Sequence, residues 1–161
     1  MNTFDWPTLA RAVHVLSVVH WIGGLAIVTT IVLPAAKQME KPQDALASFE
    51  MFERRFAGQA RWSVALAGIS GAYMFGSSYE WHRIFERSHW WLQLMIAVWL
   101  LFALMLLFLR EPLLLHDMFR RFALENPKRA YEIALRLHAM ALLASVVVIG
   151  AGVMGAHGAI G

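Results

Sequence analysis

Residues 12–34 read AVHVLSVVHWIGGLAIVTTIVLP, an apolar run broken by two histidines, His14 and His20. A transmembrane helix needs about 20 mostly apolar residues to cross about 30 Å of hydrocarbon, and this stretch is long enough. Three further runs approach that length, at residues 60–76, 90–109 and 137–156. Span 60–76 is the shortest and least apolar of the four. Each span must satisfy its own backbone hydrogen bonds in lipid, so the expectation is an all-α, four-transmembrane-helix bundle. It occupies residues 1–161 as a single integral membrane domain, with no soluble domain beside it.

Composition agrees with that pattern. Of 161 residues, 59% are hydrophobic and only 16% charged, against roughly 25% charged residues in an ordinary soluble domain. Cysteine is absent, which excludes disulfides, thiolate nucleophiles, iron–sulfur clusters and Cys-ligated zinc. Metal chemistry would fall to the seven His, nine Met or the carboxylates. Residues 1–10 carry Asp5 and no Lys or Arg. A basic n-region is missing, so the first run reads as a membrane helix and not as a cleaved signal.

Charge sorts the loops. Lys37, Lys41, Arg54, Arg55 and Arg61 lie between spans one and two, and Arg110, Arg120, Arg121, Lys128, Arg129 and Arg136 between spans three and four. Only Arg11, Arg83 and Arg87 fall on the opposite side. By the positive-inside rule both termini are on the outer, periplasmic side and the two longer loops are cytoplasmic, in a bacterial inner membrane. The net charge of +3 is thus an orientation signal, and no nucleic-acid partner is implied. The inner loops read as helical extensions. Phe49, Phe52 and Phe56 share an amphipathic face leading into span two, and Asn126-Pro127 reads as an N-cap followed by Pro at the first helical position. Trp6, Trp62, Trp81, Trp90 and Trp91 lie near the expected interfaces.

Small residues mark the packing faces. Ala60, Val64, Ala67 and Gly71 line one side of span two. Ala151 with Gly155, Gly152 with Ala156, and the pair Gly23-Gly24 offer spacings that let helices approach closely in lipid.

The histidines carry the chemistry. An ionisable side chain in hydrocarbon is costly and marks a site, and His14 and His20 both lie within span one. Six residues at 100° each separate them by about 120° around the helix, so they cannot ligate one metal from one face. Trp21 shares the face of His14, and Ser17 lies between the imidazoles and could orient either. His157, near the outer end of span four, is expected at a depth similar to His14. A bis-imidazole haem needs two ligands at one level on opposite faces of the porphyrin. His89, with Gln93 one turn on, is a third candidate there, while His138 and His116 form a separate inner pair that could take a second haem.

The first-helix motif Arg11-Ala-Val-His14 through Trp21-Ile-Gly-Gly24-Leu25 and Leu33-Pro34, with Glu53-Arg54-Arg55 before span two and Trp91-Leu92 opening span three, resembles the HemJ-type protoporphyrinogen IX oxidases and their CopD-like relatives. The resemblance covers most of the chain, and its specific part is the first-helix motif. It implies a small four-helix membrane protein binding haem b, with His14 as the ligand carried over. That family uses a Lys shortly after the Trp-Leu of its third helix; here Gln93 and Met95 stand in that region, and no Lys occurs between Lys41 and Lys128. The endings Arg136-Leu-His138 and Gly155-Ala-His157-Gly are more similar to the CopD-like branch.

These observations combine into an expectation of a membrane redox protein carrying one haem b, or two. The haem would be held by His14 or His20 with His157 or His138, passing electrons to or from a quinone or porphyrin substrate and a redox partner, alone or as a homo-oligomer. Arg54, Arg55 and Arg136 at the inner surface could meet propionates or anionic lipid. A copper-handling CopD-like transporter is the alternative, since Met154 and His157 share a face and both suit copper. A cofactor-free accessory subunit is the third. No nucleophile elbow, His-Glu-x-x-His or phosphate-binding loop is present.

Overall fold

The computed structural model describes residues 4–39, 41–79, 81–108 and 121–160. Every regular element among them is helical. The first rod, α1, runs over Trp6–Lys37; α2 spans Pro42–Ser78, α3 Trp90–Ala103 with a widened extension at Leu104–Phe108, and α4 Pro127–Ala156. Two single-turn 3-10 segments, Trp81–Phe85 and Arg87–His89, connect α2 to α3. His116, Arg110, Arg120 and Leu109, the last residue of the expected third span, lie outside the described residues.

Three of the described helices are long and apolar enough to cross a membrane: Trp6–Lys37, Arg87–Leu107 and Pro127–Ala156. The rod α2 is longer, but Arg61, Ser63 and Ser70 dilute its apolar stretch. Its outer face nevertheless carries Trp62, Leu66, Ile69 and Tyr73 exposed, as α1 carries Leu16 and Val19 and α4 carries Met140 and Leu143.

The local chemistry explains where the helices start, widen and stop. Asp5 caps α1 with both carboxylate oxygens, accepting from the Thr8 amide at 3.1 Å and the Thr8 hydroxyl at 2.6 Å. These bonds hold its carboxyl below the usual carboxylate range, the hydroxyl being the larger cause. The expected end of span one at Pro34 is not where the helix ends, because the chain loosens before the proline. Val28–Val32 forms a π-helical turn and Leu33–Lys37 continues beyond it. A proline inside an α-helix lacks its N–H and collides with the carbonyl four residues back; a wider turn relieves that collision. Thr29 and Thr30 donate to the carbonyls of Leu25 and Ala26, each at 2.7 Å, at the start of this turn. Both α2 and α4 begin on a proline at the first turn, Pro42 and Pro127. The start at Pro127 agrees with expectation, yet the Asn126 side chain makes no capping bond. Tyr79 ends α2 in a left-handed conformation with φ 56°.

Packing is closest between α1 and α2, which run antiparallel. The face Ala60, Val64, Ala67 is essentially solvent-free, as its small-residue spacing predicts. One core joins Trp21 and Leu25 of α1, Ala60 and Val64 of α2, and Phe102 and Ala103 of α3, with Ala141 and Leu142 of α4 against it. Trp21 meets Phe102 edge-on with ring centroids 4.6 Å apart. A second core at the other end joins Val28, Leu33 and Ala134 with Phe49, Phe56 and Tyr131. Phe52 does not join Phe49 and Phe56 there but stays about half exposed. Seven residues return a side chain to within about 20° of its starting direction, whereas Phe52 is rotated about 60° from Phe49.

Glycine permits three of these contacts. A Cβ on Gly24 would enter the Phe56 ring, one on Gly68 the Trp99 indole, and one on Gly155 the Trp91 indole. Gly23 differs from its neighbour, because a Cβ there would meet nothing within 4 Å. The pair Gly23-Gly24 is therefore one packing residue and one outward-facing residue.

Candidate functional site

The antiparallel register of α1 and α2 sets two histidines of one helix against hydroxyls and a carbonyl of the other. His14 Nδ1 lies 2.9 Å from the Ala67 carbonyl and 3.3 Å from Ser70 Oγ. His20 Nδ1 lies 2.8 Å from Ser63 Oγ. Moving along α1 from His14 to His20 moves backward along α2 from Ser70 to Ser63, one matched step of two helices running opposite ways.

The partners fix the chemistry of His14. A carbonyl can only accept, so Nδ1 carries the proton and donates it to Ala67. The Ser70 hydroxyl is itself committed to the Leu66 carbonyl at 2.6 Å, so toward His14 it presents an oxygen lone pair. In the neutral imidazole His14 Nε2 is consequently the unprotonated nitrogen. A carbonyl accepting from one ring nitrogen commonly fixes the tautomer and orientation of an imidazole that binds metal through the other. Gly71 lies against the ring, and a Cβ there would make ordinary contact at 3.4 Å from His14 Cε1. For His20 the single partner is a hydroxyl, which can donate or accept, so both tautomers fit.

The two rings occupy different surroundings. His14 is half-buried, on the side of α1 that also carries Trp21 and Leu25. His20 is exposed, on the side that also carries Leu16, Gly23 and Ile27. This is the expected angular separation expressed as two environments. Ser17 is buried between them, while the hydrogen-bond partners of each Nδ1 belong to α2.

The remaining candidates fall elsewhere in the bundle. His138 Nδ1 donates to the Ala134 carbonyl at 2.8 Å, and its ring lies 6.2 Å from that of Phe49, near the N-terminal end of α2. His157 Nδ1 donates to Val153 at 2.8 Å at the end of α4, two residues beyond the Gly155–Trp91 contact. In its neutral form each therefore also presents Nε2 as a lone pair. Gln93 donates to the carbonyls of Ile84 and Glu86 at 3.0 and 3.4 Å, tying the α2–α3 connection to α3. His89 is engaged by Glu86 at 2.9 Å in the same connection. Arg54 and Arg55 are exposed, about 18–20 Å along α2 from Ala67, and so belong to the level of His138 rather than that of His14. Among the described residues no three His, Cys, Asp or Glu side chains converge on a point that could hold a metal ion.

Several polar contacts of this region have no counterpart in the sequence reading. Ser63 and Ser70 share a helix face seven residues apart, a spacing visible in the chain, but only the register with α1 turns them into imidazole partners. Trp99 Nε1 donates to the Val64 carbonyl at 2.9 Å. Arg61 Nε donates at 3.0 Å to the carbonyl of Leu106, within the widened turn of α3.

Compared with protein-family models, with curated proteins and with solved structures, the chain gives no match.

Proposed function

We propose that this protein is a b-type haem redox protein of a bacterial inner membrane, in which an α1 imidazole, His14 or His20, supplies an axial bond. One observation carries the reading: within an apolar helix, His14 is held by a backbone carbonyl so that Nε2 is left as a free lone pair. An imidazole in hydrocarbon is costly, and iron coordination is a use for that nitrogen which lipid cannot provide. Haem, when bound, supplies one-electron chemistry. The chain's own part is axial ligation, exclusion of water and hydrogen bonds through Ala67, Ser63 and Ser70 that tune ligand basicity.

The reading includes four membrane crossings with both termini outside. The outward apolar side chains on α2, Trp62 to Tyr73, support counting it as the fourth, and the surplus of Lys and Arg on the two longer loops supports the orientation. The similarity of the first helix to HemJ-type and CopD-like proteins points the same way, with a quinone or porphyrin as electron-transfer substrate. Copper handling is the second reading, supported by Met154 and His157, which are both exposed one turn apart at the end of α4.

An oxidised-minus-reduced optical spectrum of the purified protein, with pyridine haemochrome quantitation and metal analysis, tests both. A reducible b-type spectrum is expected, and it should be lost in His14→Ala or His20→Ala. Stoichiometric copper without haem would replace the first reading with the second. Absence of any haem spectrum after haem is supplied would sink the haem assignment.

A further inference from the structure

The middle of the bundle is a closed layer with one side chain from each helix. Trp21 of α1, Val64 of α2 and Phe102 of α3 share one core, and Ser145 of α4 is 1% exposed. Met95 against Gly152 and Trp91 against Gly155 set α3 antiparallel to α4, in a register that puts Ser145 beside Phe102. Trp21 and Phe102 reach across the bundle to each other, and α2 and α4 each pack against both α1 and α3.

Seven residues toward the N-terminus of α1, each of these positions has a counterpart: His14, Gly71, Met95 and Gly152. Seven residues rotate a helix position by only about 20° and shift it by about 10 Å, so the four keep the faces of the central layer. The contacts agree on their level. The His14 ring lies against Gly71 and the Met95 thioether against Gly152, while Gly68 against Trp99 and Arg61 on Leu106 bring Met95 to within a residue of the level of Gly71.

Volume falls at every one of these steps, from Trp21 to His14, Val64 to Gly71, Phe102 to Met95 and Ser145 to Gly152. The central four are buried and the second four only partly so, although they share the same faces. Ser17 lies between the two layers on α1 and is 7% exposed. Ser70, Ser145, Thr29 and Thr30 each close a hydroxyl on a carbonyl one turn back. Ser17 makes no hydrogen bond among the described residues, and every fully enclosed side-chain oxygen there has a partner, so the Ser17 oxygen borders open space. The bundle is underfilled at this level, and an imidazole, a thioether and two bare backbones line it.

His157 does not complete a bis-imidazole pair there. It is five residues past Gly152, turned about 140° from the face that meets Met95 and carried about 7 Å further along α4, where it is exposed. His138 is about 21 Å back along the same helix. The iron-binding group that the fold does put at the depth of His14, on the helix across the bundle, is the Met95 sulfur.

We propose that Met95 is the second axial ligand of the haem held by His14, with His14 Nε2 and Met95 Sδ bonding the iron from opposite faces and Gly71 and Gly152 leaving the ring its room. The proposal rests on the haem reading above, takes His14 as its imidazole and replaces the bis-imidazole pairing expected from the sequence. Thioether opposite imidazole raises the reduction potential of a haem, which gives the assignment a readout of its own.

The test compares purified wild type with Met95→Leu, Met95→His and, as a control, Met105→Leu, which changes a half-exposed methionine further along α3. Circular dichroism checks that each variant folds. Oxidised wild type should show the near-infrared sulfur-to-iron charge-transfer band of thioether ligation. Met95→Leu should lose that band and open the reduced haem to carbon monoxide, Met95→His should hold haem without the band and at a lower midpoint potential, and Met105→Leu should match wild type. If Met95→Leu releases its haem, Met95→His must restore it; a folded Met95→His without haem overturns the ligand assignment. A wild-type haem lacking the band, or a band and potential indifferent to Met95, also overturns it and leaves the haem reading standing. A folded wild-type chain that takes up no haem overturns both.

Discussion

Replacing Gly68 by alanine probes how α2 is held against α3. The new methyl would stand inside the indole of Trp99, whose Nε1 donates to Val64 at 2.9 Å. The indole must move, and overpacking of this kind costs about 1–3 kcal/mol. An interhelical hydrogen bond in a membrane contributes about 0.6 kcal/mol on average and about 1.7 at most. Alanine's better helix propensity returns about 1 kcal/mol. The balance is a loss of about 1–3 kcal/mol. Burial from lipid gives no hydrophobic term to add, because acyl chains are as apolar as the core. Unfolding in mixed detergent–SDS micelles, followed by circular dichroism, measures the shift. In a Trp99→Phe background the smaller ring should tolerate the methyl, so Gly68→Ala should cost at least about 1 kcal/mol less there, a coupling that a double-mutant cycle isolates. A Gly68→Ala protein as stable as wild type, with the same cost in both backgrounds, would refute the reasoning.

The seat of His14 gives a graded prediction: Gly71→Ala should leave any haem spectrum unchanged, because its Cβ makes ordinary contact at 3.4 Å, whereas Gly71→Leu should displace the imidazole and abolish the spectrum. Ser63→Ala removes the hydroxyl that holds His20 Nδ1, and should weaken haem retention through His20 by about 10–100-fold, the usual effect of losing the group that orients a ligating imidazole; unchanged haem affinity would show that Ser63 does not orient the ring. Asp5 titrates below the ordinary carboxylate range because Thr8 bonds its charged form. Its contribution to α1 is therefore complete above the ordinary Asp value, about 3.9, and is lost as the pH falls through the lower folded value. Thr8→Val should move the Asp5 midpoint upward in an NMR titration in detergent, and a midpoint that does not move would contradict the capping geometry.

Much of the framework was legible in the chain. Hydrocarbon is a demanding solvent, and the apolar runs at residues 12–34, 90–109 and 137–156 announce helices because no other backbone state satisfies itself in lipid. The face of Ala60, Val64 and Ala67 was equally readable, since helices approach closely only where side chains are small. The histidines were conspicuous for the opposite reason, as imidazoles in a stretch that otherwise excludes polarity. What spacing could not show was whom they face. The angle between His14 and His20 follows from helical geometry, but the half-buried ring against Ala67 and the exposed ring against Ser63 depend on the register of α1 with α2. Gln93 looked like a site residue by its distance from His89, and the fold spends its amide on loop carbonyls instead. Phe52 looked like a partner of Phe49 and Phe56, and a 60° rotation leaves it outside.

Composition and periodicity thus determined by themselves that this chain is helical, apolar enough for a membrane, free of thiol chemistry and left to His, Met or carboxylate side chains for any metal. Those properties are set by local backbone and solvent energetics, which each segment carries wherever it lies. Only the tertiary structure decided that His14 Nδ1 meets the Ala67 carbonyl, that Gly24 packs while Gly23 does not, and that His20 stays exposed while bonded to Ser63. Each of these is a relation between two helices, and no single helix contains it.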